Sequence, residues 1–564
     1  MSKYTNKQKK SFNLFNKVNN NDNDYPNLDE VNSNIDYTSG DVLNMQDDSS
    51  NGSGKSARSA VFYLMILSAF TKLFGFGREI LLANYYGVGD VAEAYKIAQT
   101  IPIIILMIVG AGISTGFIPT YNKAYAEEGE KKADRFTSNA INIVVILGLI
   151  FCIIVNLFPG LFVKIFASGF EGEKLQLSIL FTRIAVFGTI FSMISYILQP
   201  YLQIKENFWV PAMVGIPMNI IFFLSYPLAS KYNLIILPIG IVLSVLVQLI
   251  WMWPWAKKEG FKYKPIVDIN DKHIQHLLIL AAPVILGVAV NQINIVIDKN
   301  MASWVIDGGV AALDYANRMN GFVQGIFIYS VVAVVYPKIS KMFIAKNIKE
   351  VESTVTNSLV TISLVVIPCI VGLMVFSEPI IRFLFYRGEF DDRAALMTSG
   401  GMFWYAAGLI GFGYREILSR VFYSMNDTKT PTINAAIAVV INIVLNLILS
   451  RIMGLNGLAL ATSIASIVGS LLLMISLRKR GKIKLKYRDL TIKVVKIVIA
   501  SVVMGIISFA LFLLLTYIIN YKISLIFSIF FAVFIYAIQI LIAKIPEVDE
   551  FINLIKAKSK RNRT

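Results

Sequence analysis

The sequence has few of the residues that build covalent or metal-bound frameworks. Its 564 residues include only two cysteines and two histidines. Cys152 and Cys369 both lie inside apolar runs, which excludes a disulfide framework. His273 and His276 are too few for a histidine-based metal site with its supporting hydrogen bonds. Charged residues are also scarce, at 16% of the chain against about 25% in an ordinary soluble protein.

Apolar residues are correspondingly abundant in the sequence. They make up 56% of the chain, and the mean hydropathy is +0.63. After residue 58 the chain divides into apolar runs long enough to cross a hydrocarbon core of ~30 Å. We count fourteen of them, near 59–83, 95–121, 136–158, 177–203, 208–229, 234–255, 274–300, 313–336, 354–376, 395–424, 431–450, 455–477, 491–519 and 523–543. This pattern predicts an all-α polytopic membrane protein with about fourteen transmembrane helices.

The distribution of basic residues predicts how the helices are oriented. The net charge is +17, and in a soluble protein such an excess would indicate a nucleic-acid partner. Here the Lys and Arg residues lie in short loops between apolar runs, and they are more frequent after the even-numbered runs. The positive-inside rule then places those loops and both termini in the cytoplasm, with no nucleic-acid partner. Residues 1–58 are predicted to be a disordered cytoplasmic tail, and 546–564 a basic cytoplasmic tail.

Several landmarks recur about 220 residues apart. The recurring pairs are Pro159 with Pro379, Gly169 with Gly388, Pro211 with Pro431, and Tyr95 with Tyr315. They predict two six-helix lobes, 59–258 and 272–480, related by a parallel internal repeat, an architecture that places a transport site between the lobes. Residues 490–545 hold two further helices outside the repeat.

Ionisable residues inside membrane spans are costly and usually face a cavity. Such residues are Lys72, Arg78, Glu79, Lys96 and Arg318, and Glu93 lies just before the second run. A cationic cavity suits a ligand with a diphosphate and carboxylates, because arginine offers paired donors that match those oxygens. The alternative is that Lys72 and Arg78 extend to the membrane interface or pair with Glu79 and Glu93.

A second group of polar residues predicts a cation site. Asn442 and Asn446 lie four residues apart on one helix face, and Asp298 and Thr462 could add oxygen ligands from two other helices. One carboxylate with neutral oxygens favours sodium over calcium, so sodium is the coupling ion that we consider, and no other cofactor is predicted. The alternative is that the two asparagines only form hydrogen bonds between helices.

Six segments resemble the MurJ/MviN family. They are LFGFGREILLANYYGVGDVAEAY (73–95), STGFIPTYNKAY (114–125), NQINIVIDKNMAS (291–303), YANRMNGFVQGIF (315–327), EPIIRFLFYRGEF (378–390) and RVFYSMNDTKTP (420–431). Members of this family flip lipid II, the undecaprenyl-linked peptidoglycan precursor, across the bacterial cytoplasmic membrane. The resemblance implies that Lys72, Arg78 and Arg318 match three cavity arginines of the family, and that Glu93 matches a cavity aspartate. Asn317 stands where relatives often carry an aspartate.

The resemblance therefore predicts a lipid II flippase that works by alternating access. Its partners would be the lipid-linked precursor and membrane lipids, it would act as a monomer, and the two extra helices would form a groove for the lipid tail. The sequence departs from the family in its second helix, where Ile105, Leu106 and Met107 replace an expected basic pair. The alternatives are an exporter of another polyprenyl-linked oligosaccharide and a cation-coupled drug antiporter, which would favour acidic cavity residues. Without a Ser/His/Asp set or paired carboxylates, the sequence predicts no enzymatic activity.

Overall fold

The computed structural model describes residues 54–480 and 483–548, with side chains from residue 70 onward. This part of the chain is helical, with short connections and no strand. Its α-helices are α1 (Gly54–Tyr86), α2 (Asp90–Glu128), α3 (Glu130–Leu157), α4 (Pro159–Phe166), α5 (Gly172–Ala185), α6 (Gly188–Ile204), α7 (Trp209–Met213), α8 (Gly215–Lys231), α9 (Ile236–Lys258), α10 (Lys272–Val305), α11 (Gly309–Val323), α12 (Tyr329–Ile344), α13 (Ile348–Val375), α14 (Ser377–Phe385), α15 (Asp392–Ala407), α16 (Leu409–Ser424), α17 (Lys429–Met453), α18 (Leu455–Arg480), α19 (Tyr487–Thr516) and α20 (Tyr521–Ala543). A π-helical turn, Gln324–Ile328, joins α11 to α12.

The predicted membrane spans coincide with these helices. Eleven spans are long and apolar enough to cross a membrane, and the bent pairs α5/α6 and α15/α16 raise the number in the described chain to thirteen. The remaining predicted run, 59–83, lies within α1, whose side chains are described only from residue 70 onward. The all-α membrane architecture is confirmed, whereas the count of fourteen is not. The predicted tails lie outside the described residues, except that α1 already begins at Gly54 and the description continues to residue 548.

The two bent spans occupy equivalent places in the repeat. α5 and α6 meet at 43°, and α15 and α16 meet at 41°, about 220 residues further along. At the second bend Gly408 faces the backbone of α18, where an added Cβ would lie 2.7 Å from the Cα of Ser463. The Ser463 hydroxyl donates to the carbonyls of Trp404 (2.6 Å) and Tyr405 (3.2 Å). The bend thus keeps its freed carbonyls satisfied, which a break at membrane depth requires.

Equivalent helices pack together in each half of the chain. In the first half α2 packs on α5, α8 on α9, and α6 on α9. In the second half α11 packs on α15, α17 on α18, and α16 on α18. α19 packs on α20 and on α13, where Gly505 lets the helices approach so closely that an added Cβ would lie 2.6 Å from Val371. The groove for a lipid tail along α19 and α20 stays a prediction.

Two glycine contacts join the lobes at one end of the bundle. An added Cβ on Gly388 would lie 2.2 Å from the carbonyl oxygen of Asn84, and one on Gly169 would lie 2.3 Å from that of Ser303. The amide of Glu389 also donates to Asn84 O at 2.9 Å. The two contacts are related by the internal repeat. We call these contacts the clasps, and this end of the bundle the sealed end.

A different set of contacts joins the lobes at the opposite end. There α10 packs along α2, and Gly116 leaves no room for a side chain beside α10. Lys272 forms ion pairs with Glu127 (3.1 Å) and Glu128 (2.8 Å), and the Nε2 atom of His273 lies 3.3 Å from Glu128. α10 is therefore fastened to the first lobe through this ion-pair group.

Candidate functional site

Charged side chains meet between the lobes where α1, α2 and α11 approach one another. Arg78 donates to Glu79 at 2.8 Å, and Lys96 from α2 forms an ion pair with the second oxygen of the same carboxylate. Arg318 from α11 lies 3.6 Å from Glu79. The structure thus brings three of the predicted bases around the carboxylate of Glu79, and part of the alternative also holds, because Arg78 pairs with Glu79.

Two further charged residues complete this group, and the sequence analysis did not select them. Asp314, one turn before Arg318 on α11, lies 2.7 Å from Lys96. Lys299 from α10 approaches the same carboxylate at 3.1 Å. The Lys96–Asp314 pair crosses from one lobe to the other. We refer to Arg78, Glu79, Lys96, Lys299, Asp314 and Arg318 as the charged group.

Aromatic rings hold the basic side chains in place. The guanidinium of Arg78 lies 4.7 Å from the ring centre of Phe222, and the ammonium of Lys96 lies 4.8 Å from that of Tyr315. Such contacts favour a cation that has lost its water. The side chain of Lys96 is only 1% exposed and that of Arg78 11%, whereas that of Arg318 is 48% exposed. Arg318 is therefore the member of the group most open to a ligand.

Lys72 and Asn317 lie beside the charged group and are both exposed. The Lys72 ammonium lies 3.9 Å from the position that a Cβ on Gly325 would take, so it faces the π-helical turn of the other lobe. Asn317 directly precedes Arg318. Neither residue is part of the ion-pair network, and their role in a cavity stays a prediction.

Glu93 is the residue that the family resemblance matches to a cavity aspartate. It lies inside the first turn of α2, which begins at Asp90, and its side chain is fully buried at the sealed end. It accepts a hydrogen bond from the amide of Val310 in the second lobe (2.9 Å) and an ion pair from Lys174 (2.8 Å). Glu93 thus joins the lobes and does not line the gap around the charged group.

Lys174 forms ion pairs with three carboxylates where the lobes meet at the sealed end. Its ammonium lies 2.9 Å from Asp90, 2.8 Å from Glu93 and 2.8 Å from Asp307 in the loop between α10 and α11. The hydrogen bond from Lys174 lowers the pKa of Asp307 below its usual value. One lysine of the first lobe therefore holds a carboxylate from each lobe at the sealed end.

Replacing Lys174 by methionine should weaken the sealed end. Glu93 would keep its burial and lose its cation, a loss that costs roughly 3–5 kcal/mol for a buried pair. We expect a lower midpoint of thermal unfolding for the purified protein, together with faster thiol labelling of a cysteine placed at exposed Glu173. The matched control is Asp307→Asn, since that side chain is 83% exposed and should change stability by less than about 1 kcal/mol. Equal effects of the two variants would contradict this role of the buried pair.

The predicted cation-site residues also come together. Asn446 donates to Asp298 at 2.6 Å, and its amide lies 3.0 Å from Asn442. The Asn442 side chain lies 3.3 Å from the Thr462 hydroxyl, and Asn294, which the sequence analysis did not select, lies 3.3 Å from Asp298. The group draws on α10, α17 and α18, and Asn442 and Asn446 are almost completely buried.

One oxygen of this group has no hydrogen-bond donor. Asn446 Oδ1 is buried without a partner among the described residues. A buried acceptor without a donor is unusual in a folded protein. Together with the Asp298 carboxylate and the Thr462 hydroxyl, it provides the kind of oxygen ligands that a hard cation takes, so the residues present fit a monovalent cation.

Comparison with known proteins settles the family. A family model described as lipid II flippase MurJ matches residues 82–535. The chain belongs to the MurJ family. Its relatives include the probable lipid II flippase MurJ of Buchnera aphidicola subsp. Acyrthosiphon pisum, 29% identical over 79% of this chain and 88% of that protein. The lipid II flippase MurJ of Thermosipho africanus is 32% identical over 73% of this chain and 84% of that protein.

Solved structures agree with this assignment. A MurJ lipid II flippase in an inward closed conformation is 29% identical, with a TM-score of 0.73 over 85% of this chain and 98% of that one. An inward-facing multidrug transporter of the MATE family has a TM-score of 0.62 over 73% of this chain and 94% of that one, at 15% identity. The second likeness extends to the fold alone. The family resemblance inferred from the six sequence segments is therefore confirmed.

Proposed function

We propose that this MurJ-family chain flips lipid II by alternating access and that the charged group holds the diphosphate of the headgroup. The chain is a transporter and not an enzyme, as its family is one of flippases. The observation that carries the proposal is the position of Arg318, a half-exposed arginine in an otherwise buried ion-pair group between the lobes. Its guanidinium is paired only loosely, at 3.6 Å from Glu79, and a diphosphate offers a better match to its donors.

The balance of charge favours an anionic substrate over a cationic drug. Lys72 and the four bases of the charged group lie between the lobes, where the described residues of this group include two carboxylates, Glu79 and Asp314. Lys299 and Lys96 add positive charge between the lobes, although the second helix lacks the basic pair that the family resemblance implies. This supports a polyprenyl-diphosphate headgroup and argues against the antiporter alternative.

The ion pairs that cross between the lobes suggest how the substrate acts. Lys96–Asp314 and Arg318–Glu79 both join the first lobe to the second. A diphosphate bound by Arg318 and Lys96 competes with these carboxylates for the same donors. Substrate binding therefore weakens contacts between the lobes, which gives it the differential affinity that a conformational change requires.

The positive-inside rule supports an orientation for this arrangement. The loops at the sealed end follow odd-numbered spans, and the basic segment around Arg478, Lys479 and Arg480 lies at the opposite end. In this orientation the sealed end faces outward, both termini lie in the cytoplasm, and the protein resides in the bacterial cytoplasmic membrane. We also propose that a single chain is the working unit.

We also propose sodium as the coupling ion at Asp298. The carboxylate, the buried Asn446 oxygen without a donor, Asn442 and Thr462 support this role. The site links α10 to α17 and α18 within the second lobe, so an occupied site favours one arrangement of these helices. The alternative is a purely structural role, in which the asparagines only form hydrogen bonds between helices. The dependence of flipping on sodium distinguishes the two roles.

Asp298→Asn should remove the dependence of flipping on sodium. This substitution keeps the shape of the side chain and removes the charge that a cation needs, so turnover should slow while headgroup affinity stays unchanged. The measurement is flipping in proteoliposomes with a clamped membrane potential, with and without a sodium gradient. The control is Asn434→Ala on the same α17, which removes a hydrogen bond to Ser476 and no carboxylate contact. Sodium-independent flipping by the unmodified protein would rule out obligatory sodium coupling.

The function itself is tested with purified protein in liposomes. We expect movement of a fluorescent lipid II analogue between leaflets, and slower movement of the same lipid diphosphate with a different glycan. Depletion in cells should cause lipid II to accumulate on the inner leaflet. Faster transport of the other glycan lipid would instead favour the exporter alternative.

A further inference from the structure

A polar cavity within the second lobe adjoins the predicted cation site, since Asn294, Asn442 and Thr462 also line it. Its volume is about 190 Å³, and it is bordered by α10, α11, α16, α17 and α18. Amide side chains dominate one side of it, and a single arginine provides its only basic group. The residues used below are Asn291, Asn317, Asn320, Gln324, Arg415 and Ser466.

The cavity contains polar atoms without partners. Asn320 is 3% exposed, and its Oδ1 atom has no hydrogen-bond donor among the described residues. The hydroxyl of Ser466 is buried and unpaired in the same way. Most buried polar side-chain atoms in proteins have a partner, so these two indicate a ligand with both donors and acceptors.

Arg415 differs from Arg420, the other arginine on its helix. Its guanidinium lies 5.2 Å from the ring centre of Phe412, and within the described chain no carboxylate oxygen lies within 4.0 Å of it. By contrast, Arg420 on the same helix forms an ion pair with Glu416. Arg415 precedes the end of α16 at Ser424 by nine residues, which places it ~14 Å along the helix from that end. An arginine at this depth faces the protein interior and requires an anionic partner.

The cavity is accessible from the gap between the lobes. Asn291 and Asn317 border the cavity and are exposed, and Asn317 is the neighbour of Arg318 in the charged group. The stem of Arg415 runs beside Gly469, where an added Cβ would be in ordinary contact with Arg415 Cδ at 3.9 Å. A molecule bound at the charged group can therefore extend into this cavity.

We propose that the cavity binds a peptide carboxylate of the same lipid-linked substrate, with Arg415 pairing to the carboxylate and the amides bonding to the peptide groups. This inference rests on the proposed function. A single arginine balances one negative charge, whereas a diphosphate needs several cations. Amide side chains both donate and accept, as peptide groups do, and a chloride ion would use only the donors. The volume is below the ~300–1,000 Å³ of sites that enclose a whole ligand, so the cavity takes one end of a larger molecule.

The binding test uses N-acetyl-alanyl-alanine in both enantiomers and its C-terminal amide, titrated into the purified full chain. A hydrogen bond to a charged group contributes roughly 1.5–3 kcal/mol, so we expect at least one enantiomer to bind ~10-fold or more tightly as the carboxylate than as the amide. Arg415→Gln should abolish this preference, and Arg415→Lys should retain part of it. Arg420→Gln on the same helix is the matched control and should keep the preference.

Three results of the binding test would overturn the inference. Equal binding of carboxylate and amide by the unmodified protein, or an unchanged preference in a folded Arg415→Gln variant, overturns the inference. Chloride that displaces the peptide carboxylate at comparable concentration also overturns it in favour of a halide site. Thermal unfolding of each variant shows whether it has folded, and Arg415→Lys serves if the glutamine variant has not.

A transport measurement distinguishes this inference from the proposed function. Flipping of a lipid-linked precursor whose peptide ends in an amide should show a higher KM than flipping of the free carboxylate, with kcat little changed. If no lipid-linked precursor is moved but the carboxylate preference persists, the proposed function fails and the cavity remains a carboxylate site. If flipping is normal and both precursors have the same KM in the unmodified protein, the inference fails and the function stands.

Discussion

Replacing Arg318 by alanine should lower the rate of lipid II flipping by about two orders of magnitude. The half-exposed guanidinium is the group best placed to receive the diphosphate, and a paired, charge-assisted contact of this kind contributes roughly 3 kcal/mol or more. Stability should change little, because Glu79, the carboxylate that lies 3.6 Å from Arg318, keeps Arg78 and Lys96. The substitution therefore removes a ligand contact and leaves the packing intact.

The measurement compares flipping in liposomes with the level of protein in the membrane. Arg78→Ala should also abolish flipping, but with some loss of stability, since that side chain is only 11% exposed and packs on Phe222. The control is Arg451→Ala, which removes an exposed arginine at the end of α17. Full complementation of a depleted strain by both Arg318→Ala and Arg78→Ala would disprove the headgroup site.

An added methyl group that blocks a clasp should strongly slow the transport cycle. Alanine at Gly388 or Gly169 would place its Cβ 2.2 or 2.3 Å from a backbone carbonyl oxygen of the other lobe, so the sealed end could not form as it stands. We expect flipping to fall at least ~10-fold and the population to shift toward an open sealed end. Gly388 also has a φ of +55°, whereas Gly169 lies outside this left-handed region, so Gly169→Ala tests the steric effect alone.

The matched control for backbone strain is Gly172→Ala. Gly172 has a φ of +54°, and no atom lies within 4 Å of an added Cβ. It should lose about 1 kcal/mol of stability and retain flipping. Spin labels at Glu173 and Glu389 report the distance between the lobes across the sealed end. If Gly169→Ala flips at the normal rate with an unchanged distance distribution, the clasps are not needed for closure.

The helices could be predicted because membrane spans depend on a local property. A run of apolar residues of sufficient length must become a helix in a hydrocarbon environment, where every backbone group needs an internal partner. Even the two bent spans were included within single runs, 177–203 and 395–424, since a bend leaves the apolar composition unchanged. The second bend depends on the close approach of α18 at Gly408, which no local pattern reveals.

The charged group was only partly predictable for a related reason. Arg78, Glu79 and Lys96 interrupt apolar runs and are therefore conspicuous. Lys299 and Asp314 lie at the ends of the predicted runs 274–300 and 313–336, where a charge is ordinary. The structure extends α10 to Val305 and starts α11 at Gly309, which moves both residues inside the helices.

The contacts of the sealed end depend on how the two lobes are placed. The sequence shows that Gly169 and Gly388 correspond, but not that each meets the opposite half of the chain. Glu93 was assigned to the cavity, yet its partners Lys174 and Val310 come from another helix and the other lobe. Such long-range pairs have no local signature, so a single sequence does not reveal them.

The clasps have the geometry of an isologous dimer interface. Gly169 of the first half meets Ser303 of the second, and Gly388 of the second half meets Asn84 of the first, so equivalent pairs of positions meet in both directions. Reciprocal contacts of this kind are what a two-fold axis generates between identical subunits. The present chain therefore resembles two copies of an ancestral subunit joined by the segment 259–271. A self-complementary surface on that subunit would have provided both clasps at once, before any covalent link existed between the halves.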